Sequence, residues 1–177
     1  MVTLALAAVL AFLAAPSFRS TIATSKLTSR ANDLVGTLAM ARSESIRRGT
    51  RITVCKSSDQ TTCATTGDWE QGWIVFVDTT RSTSAAVDTG EAITSAAQSP
   101  GGETVIKGST DVASYVSFAA DGRAKLMNGS SQTGTLRICN PSSALPDTKR
   151  ARDVEIIPVG RIITKTPSSV ADTCPAP

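Results

Sequence analysis

Residues 26–49, KLTSRANDLVGTLAMARSESIRRG, decide the fold of this 177-residue chain. Apolar side chains recur in this stretch at alternating steps of four and three, which places them on one face of an α-helix. These residues form an apolar stripe along the helix and are Leu27, Ala31, Leu34, Leu38 and Ala41. Most other positions are polar or charged, and Gly49 follows as a typical helix-ending residue. The stretch therefore predicts an amphipathic helix with one face packed on the rest of the protein.

The preceding residues 1–25 are predicted to continue the same helix as a hydrophobic transmembrane or filament stem. Residues 1–15, MVTLALAAVLAFLAA, contain one polar side chain and no charge. As a helix they would span about 22 Å, less than the roughly 30 Å hydrocarbon layer of a membrane. Pro16 is expected to kink the helix. A secretory signal peptide is an alternative, although no basic segment precedes the apolar run.

A single helix ending near residue 48 would be about 70 Å long, so its first half is expected to protrude from the domain. Residues 50–177 show the pattern of a β domain, with β-branched segments separated by turn sequences such as Asp121-Gly122 and Pro158-Val159-Gly160. The predicted strands are 51–55, 73–77, 104–107, 114–118, 123–126, 135–139, 154–157 and 161–164. Residues 79–102 are rich in small and polar residues and are predicted to form a long exposed loop. The sequence thus predicts an α+β fold, a long N-terminal α-helix packed against an antiparallel β-sheet domain.

The four cysteines are interpreted as two local disulfides formed in an oxidising compartment. They are Cys55 and Cys63, which are close in sequence, and Cys139 and Cys174, which are further apart. A zinc site would need thiolates from two distant places, because the chain contains no histidine. Buried free thiols in a cytosolic protein are the alternative.

The absence of histidine also argues against an enzyme. Ser-His and Cys-His nucleophiles need that side chain, and it is the usual general base at neutral pH. A secreted enzyme would have to use a Ser-Lys or paired-carboxylate arrangement, and the sequence identifies no such pair. We therefore predict no catalytic residues, no metal and no cofactor.

Basic residues are concentrated near the C-terminus of the chain, whose net charge is +3. The five cations of this segment are Lys149, Arg150, Arg152, Arg161 and Lys165. A hairpin about Pro158-Val159-Gly160 would place Arg161 near its turn and the first three cations before its first strand. One hypothesis is a basic edge that binds DNA phosphates without sequence preference. The alternative is a solvated charged edge that discourages aggregation of sheets.

The chain resembles the FimT/GspH family of type IV pilins and type II secretion pseudopilins in three ordered motifs. They are ARSESIRRGTRITVC at 41–55, DWEQGWIVFVD at 68–78 and SFAADGRAKL at 117–126, after the apolar helix with its proline. The resemblance implies a type IV pilin-like fold and a single-pass stem anchored in the bacterial inner membrane. It also implies a periplasmic C-terminal domain, and partnership with other minor pilins or pseudopilins through the N-terminal helix in a pilus or pseudopilus.

Two functions follow from this resemblance. A FimT-like minor type IV pilin would act in pilus biogenesis and tip assembly, and in DNA uptake by non-specific binding of double-stranded DNA. A GspH-like minor pseudopilin of the type II protein secretion system is the alternative. In DNA-uptake members a C-terminal Gly-Arg-x-Arg motif is implicated in binding, and here Gly160 and Arg161 match while Ile163 replaces the second arginine. Lys165 is a candidate replacement for the lost charge.

Family members also carry a basic leader, a glycine and Phe-Thr-Leu-Ile-Glu-Leu before the counterpart of Met1. Those residues do not occur in this sequence, and we expect a truncated sequence or a misplaced start codon. With six more mature residues the apolar run would reach about 21 residues, enough to cross a membrane. Leader cleavage and N-terminal methylation, which the family undergoes, have no matching residues here.

Overall fold

The computed structural model describes residues 2–80, 83–99 and 101–177, with side chains from residue 18 onward. Within these residues the chain forms one long helix and eight β-strands. The elements are α1 (Val2–Arg48), β1 (Arg51–Lys56), β2 (Gly72–Asp78), β3 (Ile93–Gln98), β4 (Val105–Gly108), β5 (Tyr115–Phe118), β6 (Gly134–Cys139), β7 (Ala151–Ile156) and β8 (Ile162–Lys165). Short 3-10 helices lie at Trp69–Gln71 and Thr110–Val112. The predicted α+β architecture is confirmed.

Helix α1 ends in a Schellman motif. Gly49 has a φ of +62°, and its N–H donates to the carbonyl of Ile46 at 3.3 Å. The N–H of Thr50 donates to the carbonyl of Ser45, also at 3.3 Å. The left-handed glycine thus satisfies the last helical carbonyls and turns the chain into β1.

Pro16 lies within the bounds of α1, and its side chain lies outside the described residues. The kink at this position stays a prediction. Among the residues that the structure describes, no helix is both long enough and apolar enough to count as a membrane span.

In the described part of the chain the strands form two antiparallel four-stranded sheets. Their strand orders are β3-β2-β1-β5 and β4-β6-β7-β8. The buried stripe of α1 shares a hydrophobic core with both sheets, through side chains such as Val54 and Val75 of the first sheet and Leu136 and Val154 of the second. Trp73 also fastens β2 to the helix, because its indole N–H donates to the Thr37 hydroxyl at 3.2 Å. The predicted packing of the helix on the β domain is confirmed.

Two predictions of local structure are wrong. Residues 79–102 are not loop throughout, since Ile93–Gln98 form the edge strand β3 and pair with β2. Its small and mostly exposed side chains carry no apolar alternation, and the backbone pairing with β2 defines it. Residues 123–126 do not form a strand, and only the isolated bridges Phe118–Ala124 and Lys125–Ser131 occur there.

The four cysteines form two disulfides, Cys55–Cys63 and Cys139–Cys174, with the pairing expected from the sequence. The first holds the segment after β1 over the outer face of the first sheet, beside buried Ile74 and Phe76. The second fixes the C-terminal tail to β6, where it covers a small cluster with Ala151 and Val170. Each disulfide therefore closes a segment that lies outside the main core.

Candidate functional site

The exposed face of α1 carries apolar side chains that the β domain does not cover. Phe18, Ile22 and Met40 are 68%, 42% and 40% exposed. At 3.6 residues per turn they fall within roughly 40° of one another, and on the side of the helix opposite the buried stripe. We call these three residues the outer helix face. It is a surface suited to packing against another helix.

The C-terminal basic edge is split by the structure. The predicted hairpin is present, since β7 pairs with β8 and the Gly160 N–H donates to the Ile157 carbonyl at 2.8 Å. Arg161 follows this turn and is exposed, and within the described residues its side chain makes no hydrogen bond or ion pair. Lys149 is also exposed, but it precedes β7, so the two cations lie at opposite ends of a strand about 20 Å long.

Arg150 does not belong to the exposed edge, although the sequence places it there. Its residue is 5% exposed, and its Nε donates to Asp147 Oδ1 at 2.9 Å. Its other nitrogens donate to the carbonyls of Asn140, Ser142 and Leu145 at 3.3, 3.2 and 2.6 Å. A guanidinium has five N–H donors, and here they organise the loop between β6 and β7. Arg150 is therefore a structural residue.

The remaining cations of the edge are partly occupied. Arg152 donates to the backbone carbonyls of Ala151 at 2.7 Å and Lys149 at 3.4 Å. Lys165 forms an ion pair with Glu155, the residue on the adjacent strand. The structure thus leaves Arg161 and Lys149 as the edge cations with the most freedom to meet an anion.

Carboxylates neutralise the neighbouring surface of the second sheet as well. Arg137 of β6 forms a bidentate pair with Asp153 of β7, with both N–O distances at 2.8 Å. This hydrogen bonding raises the pKa of the Arg137 guanidinium. The outer face of β6, β7 and β8 therefore presents paired charges and not a continuous positive field.

The hairpin turn packs against a second turn and against the helix. Gly160 has a φ of +78°, and a Cβ there would collide with the Gly122 carbonyl and lie 2.9 Å from Arg42 Nε. Arg42 donates through Nε to the Gly122 carbonyl and through Nη2 to the Val159 carbonyl, both at 3.1 Å. We call Arg42, Gly122, Val159 and Gly160 the turn junction. The turn junction is not predicted from the sequence, in which the two glycine turns were the available signal.

Comparisons with known proteins agree with this architecture. Residues 30–160 match the family described as Type II transport protein GspH. The fold is similar to crystal structures of the Pseudomonas aeruginosa type IV minor pilin FimU in space groups P21 and P65, with TM-scores of 0.58 and 0.56. Sequence identities are 21% and 22%, and the alignments cover 82% and 80% of this chain and 95% and 98% of those chains. A search of curated proteins found no match. The chain therefore belongs to the GspH family of minor pilins and pseudopilins.

Proposed function

We propose that the chain is a FimT-like minor subunit of a type IV pilus. Its stem is anchored in the inner membrane with the β domain in the periplasm, and it then enters the filament tip beside other minor pilins. The apolar residues of the stem sequence must be covered by lipid or by other helices, because exposing their apolar surface to water costs roughly 25 cal/mol per Å². Both surroundings are apolar, so the same helix suits the bilayer and the filament.

The observation that carries this proposal is the outer helix face. A helix that served only as a tether would need no apolar side chain at the level of the β domain. Met40 lies six residues past the middle of the buried stripe at Leu34, well inside the part of α1 that packs on the domain, and it points away from the core. This placement supports lateral packing with a second helix along the length of α1.

A GspH-like pseudopilin of the type II secretion system is the second candidate. The match to the family described as Type II transport protein GspH favours it. The two candidates predict different partners, because a pilus subunit should co-purify with minor pilins and a pseudopilus subunit with pseudopilins. Isolation of the tagged chain from the bacterium that encodes it, followed by identification of its partners after mild crosslinking, separates the two.

Met40→Asp should reduce the recovery of crosslinked partner subunits at least tenfold. A carboxylate buried unpaired between two helices costs more than the 1.4 kcal/mol that corresponds to a factor of ten. Thr28→Asp is the matched control, because Thr28 is exposed and lies roughly 120° around the helix from Met40. Equal recovery from the two variants would exclude the outer helix face as the assembly surface.

DNA uptake is the finer part of the proposal. Arg161, Lys149 and Arg152 are the cations that support it, while Lys165 would first have to leave Glu155. With two or three phosphate contacts, log K should fall against log salt with a slope of about −2 to −3.

Arg161→Ala should weaken binding of double-stranded DNA and bring this slope closer to zero by about 1. Lys107→Ala is the control, since Lys107 lies on β4, at the opposite edge of the same sheet. Fluorescence anisotropy with a labelled duplex at several salt concentrations measures both quantities. No binding at low salt, or identical slopes for the two variants, would remove DNA uptake from the proposal.

A further inference from the structure

A cleft of about 630 Å³ opens beside α1, at the point where the stem enters the domain. One wall is the helix between Arg19 and Asp33, and the other is the segment 101–104 with Asn140 and Ser142. The volume is in the range that holds a small ligand or one headgroup. The cleft shares Ile22 with the outer helix face, and it shares no residue with the basic edge.

Three cations line this cleft in a row. Arg19, Lys26 and Arg30 are separated by seven and four residues, so they project from nearly the same side of the helix. Two carboxylates, Asp33 and Glu103, also line the cleft. The cleft therefore has an excess of one positive charge, and its cations lie nearer the stem than Asp33 does.

The side chains of these three cations make few polar contacts with the described residues of the protein. Within the part of the chain that the structure describes, none of the three side chains donates a hydrogen bond, and their one ion pair, between Arg30 and Asp33, is long at 4.0 Å. The Arg30 side chain is nevertheless only 13% exposed and lies 5.7 Å from the centre of the Trp73 ring. Burial lowers the pKa of the Arg30 guanidinium, and Asp33 partly offsets this.

Other arginines of the domain differ from Arg30 in their hydrogen bonding. Arg42, Arg137 and Arg150 each place at least two N–H groups on protein oxygens. Arg30 has the same five donors in a fixed fork, yet its ring contact satisfies none of them. A partly buried guanidinium whose N–H groups form no hydrogen bond with the described residues is suited to bind an external oxyanion.

The position of the cleft, next to the apolar stem, indicates which kind of anion it would meet. Arg19 is the first charged residue of the chain, and the eighteen residues before it are almost entirely apolar. In a membrane-anchored subunit Arg19 would lie at the interface, with Lys26 about 10 Å further along the helix. Side chains on a helix lean toward its N-terminus, which directs Lys26 and Arg30 toward the membrane.

We propose that this cleft binds the phosphate of an anionic phospholipid headgroup while the subunit is in the membrane. The inference rests on the membrane anchoring in the proposed function. The exposed Arg19 and Lys26 attract the headgroup, and the more deeply buried Arg30 offers its N–H groups. Duplex DNA is too wide to enter a cleft of this volume.

Native mass spectrometry of the full chain, released from detergent containing equimolar phosphatidylglycerol and phosphatidylcholine, tests the site. The wild-type chain should retain phosphatidylglycerol in preference to phosphatidylcholine. Arg19→Gln/Lys26→Gln should lower the retained phosphatidylglycerol about 25-fold, since each cation near a lipid surface contributes about fivefold. The matched control, Arg123→Gln/Lys125→Gln, removes the same charge from the turn segment near the other end of α1 and should retain it fully.

Equal loss in both double variants, or no preference for phosphatidylglycerol, would overturn the headgroup site. Displacement of the lipid by inorganic phosphate at constant ionic strength, without discrimination between the two lipids, would assign the cleft to free phosphate and also overturn it. Flotation of the full chain with neutral phosphatidylcholine vesicles tests the membrane anchoring separately. A chain that does not float, yet retains phosphatidylglycerol in detergent, would contradict the proposed anchoring and leave the headgroup site supported.

Discussion

Gly160→Ala should destabilise the protein by about 2–4 kcal/mol. Two effects combine at this position, and both follow from the turn junction. An alanine at a φ of +78° adopts a left-handed conformation that costs of order 1–3 kcal/mol outside glycine. Its Cβ would also strike the Gly122 carbonyl, which belongs to a second turn held by Arg42. Urea unfolding of the full chain in nondenaturing micelles, followed by circular dichroism, measures the loss.

Gly129→Ala is the control for the backbone effect alone. Gly129 has a φ of +87°, but no heavy atom lies within 4 Å of the position its Cβ would take. We expect a loss of about 1 kcal/mol there. If the two alanine variants lose the same free energy of unfolding, the turns do not pack as closely as the structure indicates.

This prediction also bears on the half-matched Gly-Arg-x-Arg motif. Gly160 has a structural reason to be glycine, because it must fit between Gly122 and Arg42. Its presence therefore carries no information about DNA, and Arg161 alone carries the hypothesis. An effect of Gly160→Ala on DNA binding would be interpreted only after correction for the fraction of folded protein.

The sequence predicts the helix and most strands well because their signals are local. The stripe from Leu27 to Ala41 has a clear helical period, and Gly49 ends it through contacts within five residues. Edge strand β3 escapes prediction because its pairing with β2 supplies what its own side chains do not. Such pairing is a tertiary property that no local pattern contains.

The candidate sites are harder to predict for a related reason. Arg150 and Arg152 are two residues apart and look alike in the sequence, yet only Arg150 is buried by the carbonyls of its loop. Arg42 looks like a helix-surface cation, and its partners, Gly122 and Val159, are 80 and 117 residues away. Charge can be counted from the sequence, but the availability of that charge depends on long-range contacts.

Cys139→Ala/Cys174→Ala should destabilise the protein by about 4 kcal/mol, and Cys55→Ala/Cys63→Ala by about 2.5 kcal/mol. The sequence separations are 35 and 8 residues, and a longer closed loop removes more entropy from the unfolded chain. Denaturant unfolding of the full chain in micelles measures both losses. Under reducing conditions the wild-type chain and Cys139→Ala/Cys174→Ala should have nearly equal free energies of unfolding, because reduction opens the same bridge in the wild-type chain.

The two bridges should also differ in where the protein loosens. The second bridge holds the tail whose Val170 N–H donates to the Asp147 carbonyl at 3.0 Å, and Asp147 in turn accepts from Arg150. Opening Cys139–Cys174 should therefore increase hydrogen exchange at Val170 and in the loop that Arg150 organises. Opening Cys55–Cys63 should affect the segment after β1 and leave Val170 protected. If the short bridge costs more free energy, or if Val170 exchanges equally fast in both variants, the tail is not held by the disulfide in the way these contacts require.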